Sequence, residues 1–235
     1  MIVTISLFKY QNVSFRMPFK TIAKFGKPKP KKVEVPAKKK VMELYDLILE
    51  NITTMGQVKK FMKNDVDNEN IDKLLEAARW TQSAGNHQPW EFIVLRDKKV
   101  KDSIADSCQE GPWVKQAPVL IVACVNMRLA HSLYGERGEK LYGIQDVAAS
   151  IENMLIAANA IGLGTNWIRA FSEPEVSQKL GCQEFVRPSA IIAVGWPAEE
   201  PAKKERHGIK QFVHEDQFGR TRHALKAWGH GHGEV

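Results

Sequence analysis

Residues 71–96 read IDKLLEAARWTQSAGNHQPWEFIVLR. Ile71, Leu74, Leu75 and Ala78 recur at i, i+3, i+4 and i+7, the apolar stripe of a helix, and Asp67 or Asn68 ahead of them can cap its first turn. The chain then turns small and polar through Ser83-Ala-Gly-Asn-His-Gln88, and Pro89-Trp90 leads into Glu91–Arg96, a run of strand composition. Helix, loop and strand in this order point to a domain that mixes α and β structure. Small side chains let backbone approach a flat ligand, and Asn86 and Gln88 offer paired donors and acceptors. The same loop reads equally as a plain polar connection.

Outward from this stretch the alternation continues. Ala117–Val125 (APVLIVACV) is an uninterrupted apolar run, expected of a strand buried on both faces. A long helix is expected over about Leu141–Ile161, with Ile144, Val147, Ala148, Ile151, Leu155 and Ala158 as its stripe and Gly162 and Gly164 at its end. Trp167–Phe171 reads as a short strand. Ser172-Glu-Pro-Glu175 has the form of a capping box with Pro early in a helix that stops near Gly181. Ala190–Trp196 is another buried strand, and Met42–Asn51 a helix with Tyr45, Ile48 and Leu49 on one face. The expected class is α+β, an α/β sandwich with a mixed central sheet flanked by helices.

The charge belongs to one end. The 235 residues carry 34 Lys and Arg against 27 Asp and Glu, a net +7. Residues 1–40 hold eleven of the basic residues and one acid, Glu34, for +10, so the remainder is −3. From Lys24 to Lys40, eight lysines alternate with Pro28, Pro30 and Pro36, the composition of an extended arm. The chain thus divides into a basic arm (1–41), a domain (42–220) and a Gly/His-rich tail (221–235). The arm suits solvent, a partner subunit or an anionic surface. Met42 resembles a natural start, which would leave the arm dispensable. No nucleic-acid module is present, so no nucleic-acid partner is expected.

With 43% hydrophobic residues the chain is not disordered throughout, and no apolar run approaches the roughly 18–20 residues that span a bilayer. Lys9 interrupts the apolar start, against a secretory signal. Cys108, Cys124 and Cys182 fit neither a disulfide framework nor a zinc site, so a cytoplasmic location is expected. Cys124 falls in a core strand and reads as inert; Cys108 and Cys182 carry no activating motif. Gly162-Leu-Gly164 lacks a third glycine and follows a helix, so it is no dinucleotide fingerprint. No Walker A, Gly-x-Ser-x-Gly or His-Glu-x-x-His motif occurs. His223, His230 and His232 sit in a Gly-rich segment without acidic partners, and no functional metal is expected.

Four segments, in order, resemble the FMN-dependent nitroreductase family. Leu74-Leu-Glu-Ala-Ala-Arg79 followed by Gln82-Ser-Ala-Gly-Asn-His-Gln-Pro-Trp90 is similar to that family's first helix and its Asn-x-Gln-Pro-Trp loop. Asn153-Met-Leu-Ile-Ala-Ala158 through Gly164 resembles its central helix and Gly-Leu-Gly turn, and Trp167-Ile-Arg-Ala-Phe171 the strand beside the flavin. Val194-Gly-Trp-Pro197 and Lys204-Glu-Arg206 resemble its C-terminal elements. The resemblance covers about residues 42–215. One element departs: where the family has Arg-Arg-Ser-x-Arg-x-Phe, this chain reads Met55-Gly-Gln-Val-Lys-Lys-Phe61, so Met55 and Gln57 replace the phosphate-gripping Arg and Ser. Either FMN is held differently, the ligand has changed, or the chain is a flavin-free relic.

The resemblance implies a homodimer with FMN at the interface. Ser83, Ala84, Gly85, Asn86 and Gln88 would come from the partner chain, and Lys59 would lie beside the N1/O2 edge of the isoalloxazine. The backbone of Ile168, Arg169 and Ala170 would face N5. Lys204 and Arg206 would hold the phosphate, with Gln57 as a neutral donor. NADH or NADPH would give hydride to N5 and be replaced by a small-molecule acceptor, a nitroaromatic, quinone or related compound, in ping-pong fashion. No obligatory catalytic side chain is implied. Arg169 is costly to bury unpaired, so it should reach solvent, an acid or an anionic substrate. The alternatives are different flavin chemistry (dehalogenation, dehydrogenation or flavin breakdown) and a non-enzymatic protein binding through its arm.

Overall fold

The computed structural model describes residues 38–109, 111–201 and 205–220. The chain divides into two units, residues 1–43 and 44–235. The readings made for residues 1–37, for Lys204 and for the tail with His223, His230 and His232 lie outside the described residues.

The elements run α1 (Lys38–Thr54), α2 (Asn68–Arg79), β1 (Trp90–Leu95), α3 (Lys98–Asp106), β2 (Val119–Asn126), α4 (Met127–Arg137), α5 (Gly143–Ala160), β3 (Gly164–Ile168), α6 (Glu173–Leu180) and β4 (Val186–Gly195). The strands form one sheet in the order β1-β2-β4-β3. Period-two alternation sorts the core. Ile121, Ala123, Ile192 and Val194 face α5 and α2, where Val147, Ile151, Met154, Ile71 and Leu74 meet them. Leu120, Val122, Ile191 and Ala193 face Ile104 of α3 and Val176 of α6. The result is the expected α+β sandwich, helices on both faces of a sheet whose β2 is buried on both sides.

Among the described residues the sheet is not mixed, however. All three strand pairings are antiparallel, and the only parallel pairing among the described residues is the single bridge between Gln57 and Thr165. β2 and β3 do run in one direction, but β4 inserts between them and pairs antiparallel with both.

Local chemistry accounts for the ends of the elements. Asp67 caps α2, its Oδ1 accepting from the Asn70 N–H at 2.7 Å. A π-helical turn, Gly138–Tyr142, occupies the ground expected of the start of α5. Gly162 (φ +79°) lets the chain reverse after α5, and Gly181 (φ +64°) closes α6 in the left-handed region. Ser172 is the N-cap residue of α6, yet its side chain bonds no first-turn N–H. The expected capping box is not made, because Glu175 instead accepts from Ser107 Oγ at 2.9 Å and ties α6 to the end of α3. α1 begins earlier than expected: Lys38 to Lys40 are helical, as suits a good helix former after the last arm proline, Pro36.

Tyr45 and Ile48, read as one face of this helix with Leu49, are exposed with Leu44, Leu47 and Ile52, and Leu49 is half-buried. α1 is instead fastened near its C-terminus, where Asn51 Nδ2 donates to the Ile156 carbonyl and Asn159 Nδ2 donates to the Asn51 carbonyl. Cys124 is fully buried, and burial pushes its thiol up to about 12, which fits the inert role expected of it. Among the described residues, no helix is long and apolar enough to cross a membrane.

Candidate functional site

Residues 55–62 leave α1 and lie across the end of the sheet. The Val58 N–H donates to the Thr165 carbonyl at 2.9 Å, and the Met62 N–H to the Trp196 carbonyl at 2.8 Å. Buried Asn166 donates through Nδ2 to the Val58 carbonyl at 3.1 Å. Gly164 makes room for this segment: a Cβ there would stand 2.7 Å from Val58 Cγ2. With Val58 driven into the core, Met55, Gly56 and Gln57 form one wall of a cleft of about 240 Å³.

β3 supplies a second wall. Thr165, Trp167 and Arg169 lie two apart and share a face, while Ile168 points into the opposite core and is fully buried. Glu152 and Leu155, three apart on α5, form the third side, and Arg206 completes the cleft. The Arg169 guanidinium lies 4.0 Å over the Trp167 ring. The Trp167 indole N–H is buried and finds no acceptor among the described residues. Two guanidiniums and a primary amide are the donors a phosphate dianion takes, and Leu155, Met55 and Trp167 offer apolar surface for a flat ring.

Of the residues expected to hold a cofactor, Gln57, Arg169 and Arg206 are therefore brought together. Ile168, fully buried, and Ala170, whose carbonyl accepts from the Gln109 N–H at 2.8 Å, do not line the cleft. Lys59 does not line the cleft; its ammonium sits 5.6 Å from the Trp113 ring centroid.

The loop Ser83–Gln88 lies elsewhere in the chain, against α4 and the start of α5. Both Asp146 oxygens accept from the Ala84 N–H at 3.2 Å, and Ser83 Oγ accepts from the Gln88 N–H at 2.9 Å. Gly85, Asn86 and Gln88 all have positive φ, a strained path for two non-glycine residues that these bonds hold in place. Gln88 Nε2 donates to Asn86 Oδ1 at 3.2 Å, and His87 Nε2 is 2.9 Å from Ser132 Oγ.

The sequence reading missed Glu152, Leu155, Thr165, Trp167 and Asp146. Period two from Arg169 finds Trp167 and Thr165, and an acid in the first turn of α5 marks Asp146. A wider groove beside Met127, Arg128 and His131 is a poorer candidate. Three of its polar groups are already engaged, His131 with Glu139 at 2.8 Å and Arg128 stacked 3.9 Å over Phe185.

Burial pushes the Asp146 carboxyl above the ordinary aspartate range, partly offset by the Ala84 N–H and by His87. The folded chain therefore holds this proton at a pH where the unfolded chain has released it. Stability from this group is fullest below the ordinary aspartate pKa and falls as pH rises from there through the raised folded value. Asp146→Asn keeps an acceptor but cannot ionise, so it should flatten that fall in a series of melting temperatures from acid to neutral pH. An unchanged slope would contradict this origin.

Residues 57–118 and 109–196 match the model of the Nitroreductase family. A Methanothermobacter thermautotrophicus protein with the provisional name NADH dehydrogenase/NAD(P)H nitroreductase is 32% identical over 164 residues, 67% of this chain and 81% of its own. The FMN reductase [NAD(P)H] of Bacillus subtilis is 25% identical over 184 residues, 73% of this chain and 74% of its own. The solved structure of NfrA2 from B. megaterium superposes with a TM-score of 0.68 at 26% identity, covering 76% of each chain. The loop, the central helix and the turn after β4 stand where three of the sequence segments put them, β3 (Gly164–Ile168) begins three residues before the strand expected at Trp167–Phe171, and the chain belongs to the nitroreductase family.

Proposed function

We propose that the protein is an FMN-dependent oxidoreductase that takes electrons from NADH or NADPH and passes them to a small acceptor, a nitroaromatic, quinone or related compound, by a ping-pong route. The observation that carries this reading is that Gln57 and Arg206, remote in sequence, line one cleft with Trp167 in a chain of this family. Gln57 and Arg206 would hold the FMN phosphate, supported by Lys204, and Trp167, Met55 and Leu155 would flank the ring. When bound, FMN supplies the hydride chemistry; the chain contributes placement and charge. Met55, Trp167 and Leu155 would give each wall one apolar side chain against the ring, and no side chain of the cleft is needed as nucleophile.

The functional unit is a homodimer. Two observations support this: the Ser83–Gln88 loop lies away from the cleft of its own chain, and α1 exposes Leu44, Leu47, Ile48 and Ile52. A second copy would cover the helix and bring its loop to the cleft. Initial rates with NADH or NADPH and a nitroaromatic, each varied against the other in the presence of FMN, test the reading. Parallel reciprocal lines are expected. Intersecting lines would refute the ping-pong order, and absence of turnover would refute the activity.

A further inference from the structure

Arg169 follows β3 directly and shares the cleft face with Thr165 and Trp167. It is exposed, and among the described residues no acid pairs with it and no carbonyl accepts from it. Its one partner there is the Trp167 ring, 4.0 Å below the guanidinium. Such a stack fixes the plane of the cation and leaves its N–H edges open, the arrangement that takes a carboxylate or phosphate through two bonds. Arg206 and Glu152 are the other charged groups of the cleft, so its formal charge is positive even with the one acid counted. Gln57 and Arg206 already supply donors for the FMN phosphate on the reading above, which leaves Arg169 for the molecules that exchange with FMN.

We propose that Arg169 is a specificity-determining residue that selects a reactant bearing a carboxylate or phosphate. This rests on the oxidoreductase reading. The anion has two sources: the acceptor itself, or the ribose phosphate that distinguishes NADPH from NADH. Both present the same chemistry to a guanidinium, and the enzyme's own kinetics separate them.

The test compares kcat/KM for para-nitrobenzoate against para-nitrobenzyl alcohol, and for NADPH against NADH, in the wild type, Arg169→Gln and Arg169→Lys, with bound FMN measured in each. Arg169→Gln is expected to lower one anionic-to-neutral ratio by about tenfold or more, the loss of a charge-assisted pair, and Arg169→Lys to restore part of it. A change confined to the nitro compounds makes the acceptor the anion; one confined to the dinucleotides makes it the donor. Both ratios unchanged, or bound FMN lost while the ratios hold, would overturn the proposal. Wild-type protein that turns over none of these pairs removes the oxidoreductase reading itself, and this inference with it.

Discussion

Gly195→Ala is expected to lower the melting temperature by roughly 2–12 °C and to weaken FMN binding with it. Gly195 ends β4 in the core, and a Cβ there would stand 2.6 Å from Pro118 Cδ and 2.7 Å from Phe61 Cδ1. Neither neighbour can yield cheaply: Pro118 is a rigid ring at the entry to β2, and Phe61 is packed in the core. Overpacking of this kind costs about 1–3 kcal/mol, and in a domain of this size each kcal/mol lowers the midpoint by about 2–4 °C. The easiest relief is outward movement of Phe61, which is bridged to Pro197 and belongs to the segment that carries Gln57. Stability and ligand binding should therefore fall together. Gly181→Ala is the control. No atom lies within 4 Å of its added Cβ, and the cost, about 1–2 kcal/mol, comes from a left-handed φ of +64° alone. It should lower the midpoint without touching FMN affinity. Thermal unfolding with FMN titration of both variants checks this, and a Gly195→Ala protein that melts like the wild type would contradict the packing.

Arg206→Gln is expected to raise the Kd for FMN by about 10- to 100-fold, the range for removing a charge-assisted bond to a phosphate. Its folding should be unaffected, because Arg206 is exposed and, among the described residues, its Nη1 reaches only the neighbouring Glu205 carbonyl at 3.3 Å. Lys59→Gln should have a much smaller effect on Kd, since its ammonium is over Trp113 and not at the cleft. Fluorescence titration with FMN at two salt concentrations separates these outcomes, the salt dependence being shallower in Arg206→Gln. Equal losses in the two variants would mean that Lys59 turns to the cofactor after all.

The sandwich was legible because burial writes itself into local pattern. The unbroken apolar run of β2 announced a central strand, and the stripe through Val147, Ile151 and Leu155 announced the helix packed on it. Strand order was not legible: nothing in the residues of β4 says that it enters between β2 and β3, and the sheet is antiparallel for that reason. The site divides in the same way. Arg206 and Gln57 stood out through the resemblance, at positions matching the family's phosphate-holding elements, and the strand alternation could have added Thr165 and Trp167. The path of residues 55–62 depends on bonds to Thr165, Asn166 and Trp196, more than a hundred residues along the chain, so the fates of Gln57 and Lys59 could not be told apart beforehand. The capping box at Ser172 failed for a related reason, since Ser107 of another helix's end takes Glu175. The amphipathic pattern of α1 shows that a face needs cover and not which chain covers it.

The central claim is that the cleft between residues 55–57, β3 and Arg206 holds FMN. It is tested most directly by incubating the purified full chain with FMN, removing free ligand by gel filtration and recording the absorbance spectrum beside the eluted mass. The account predicts protein that keeps the flavin bands, at one FMN per chain, in a peak of dimer mass. Protein that elutes colourless would contradict it.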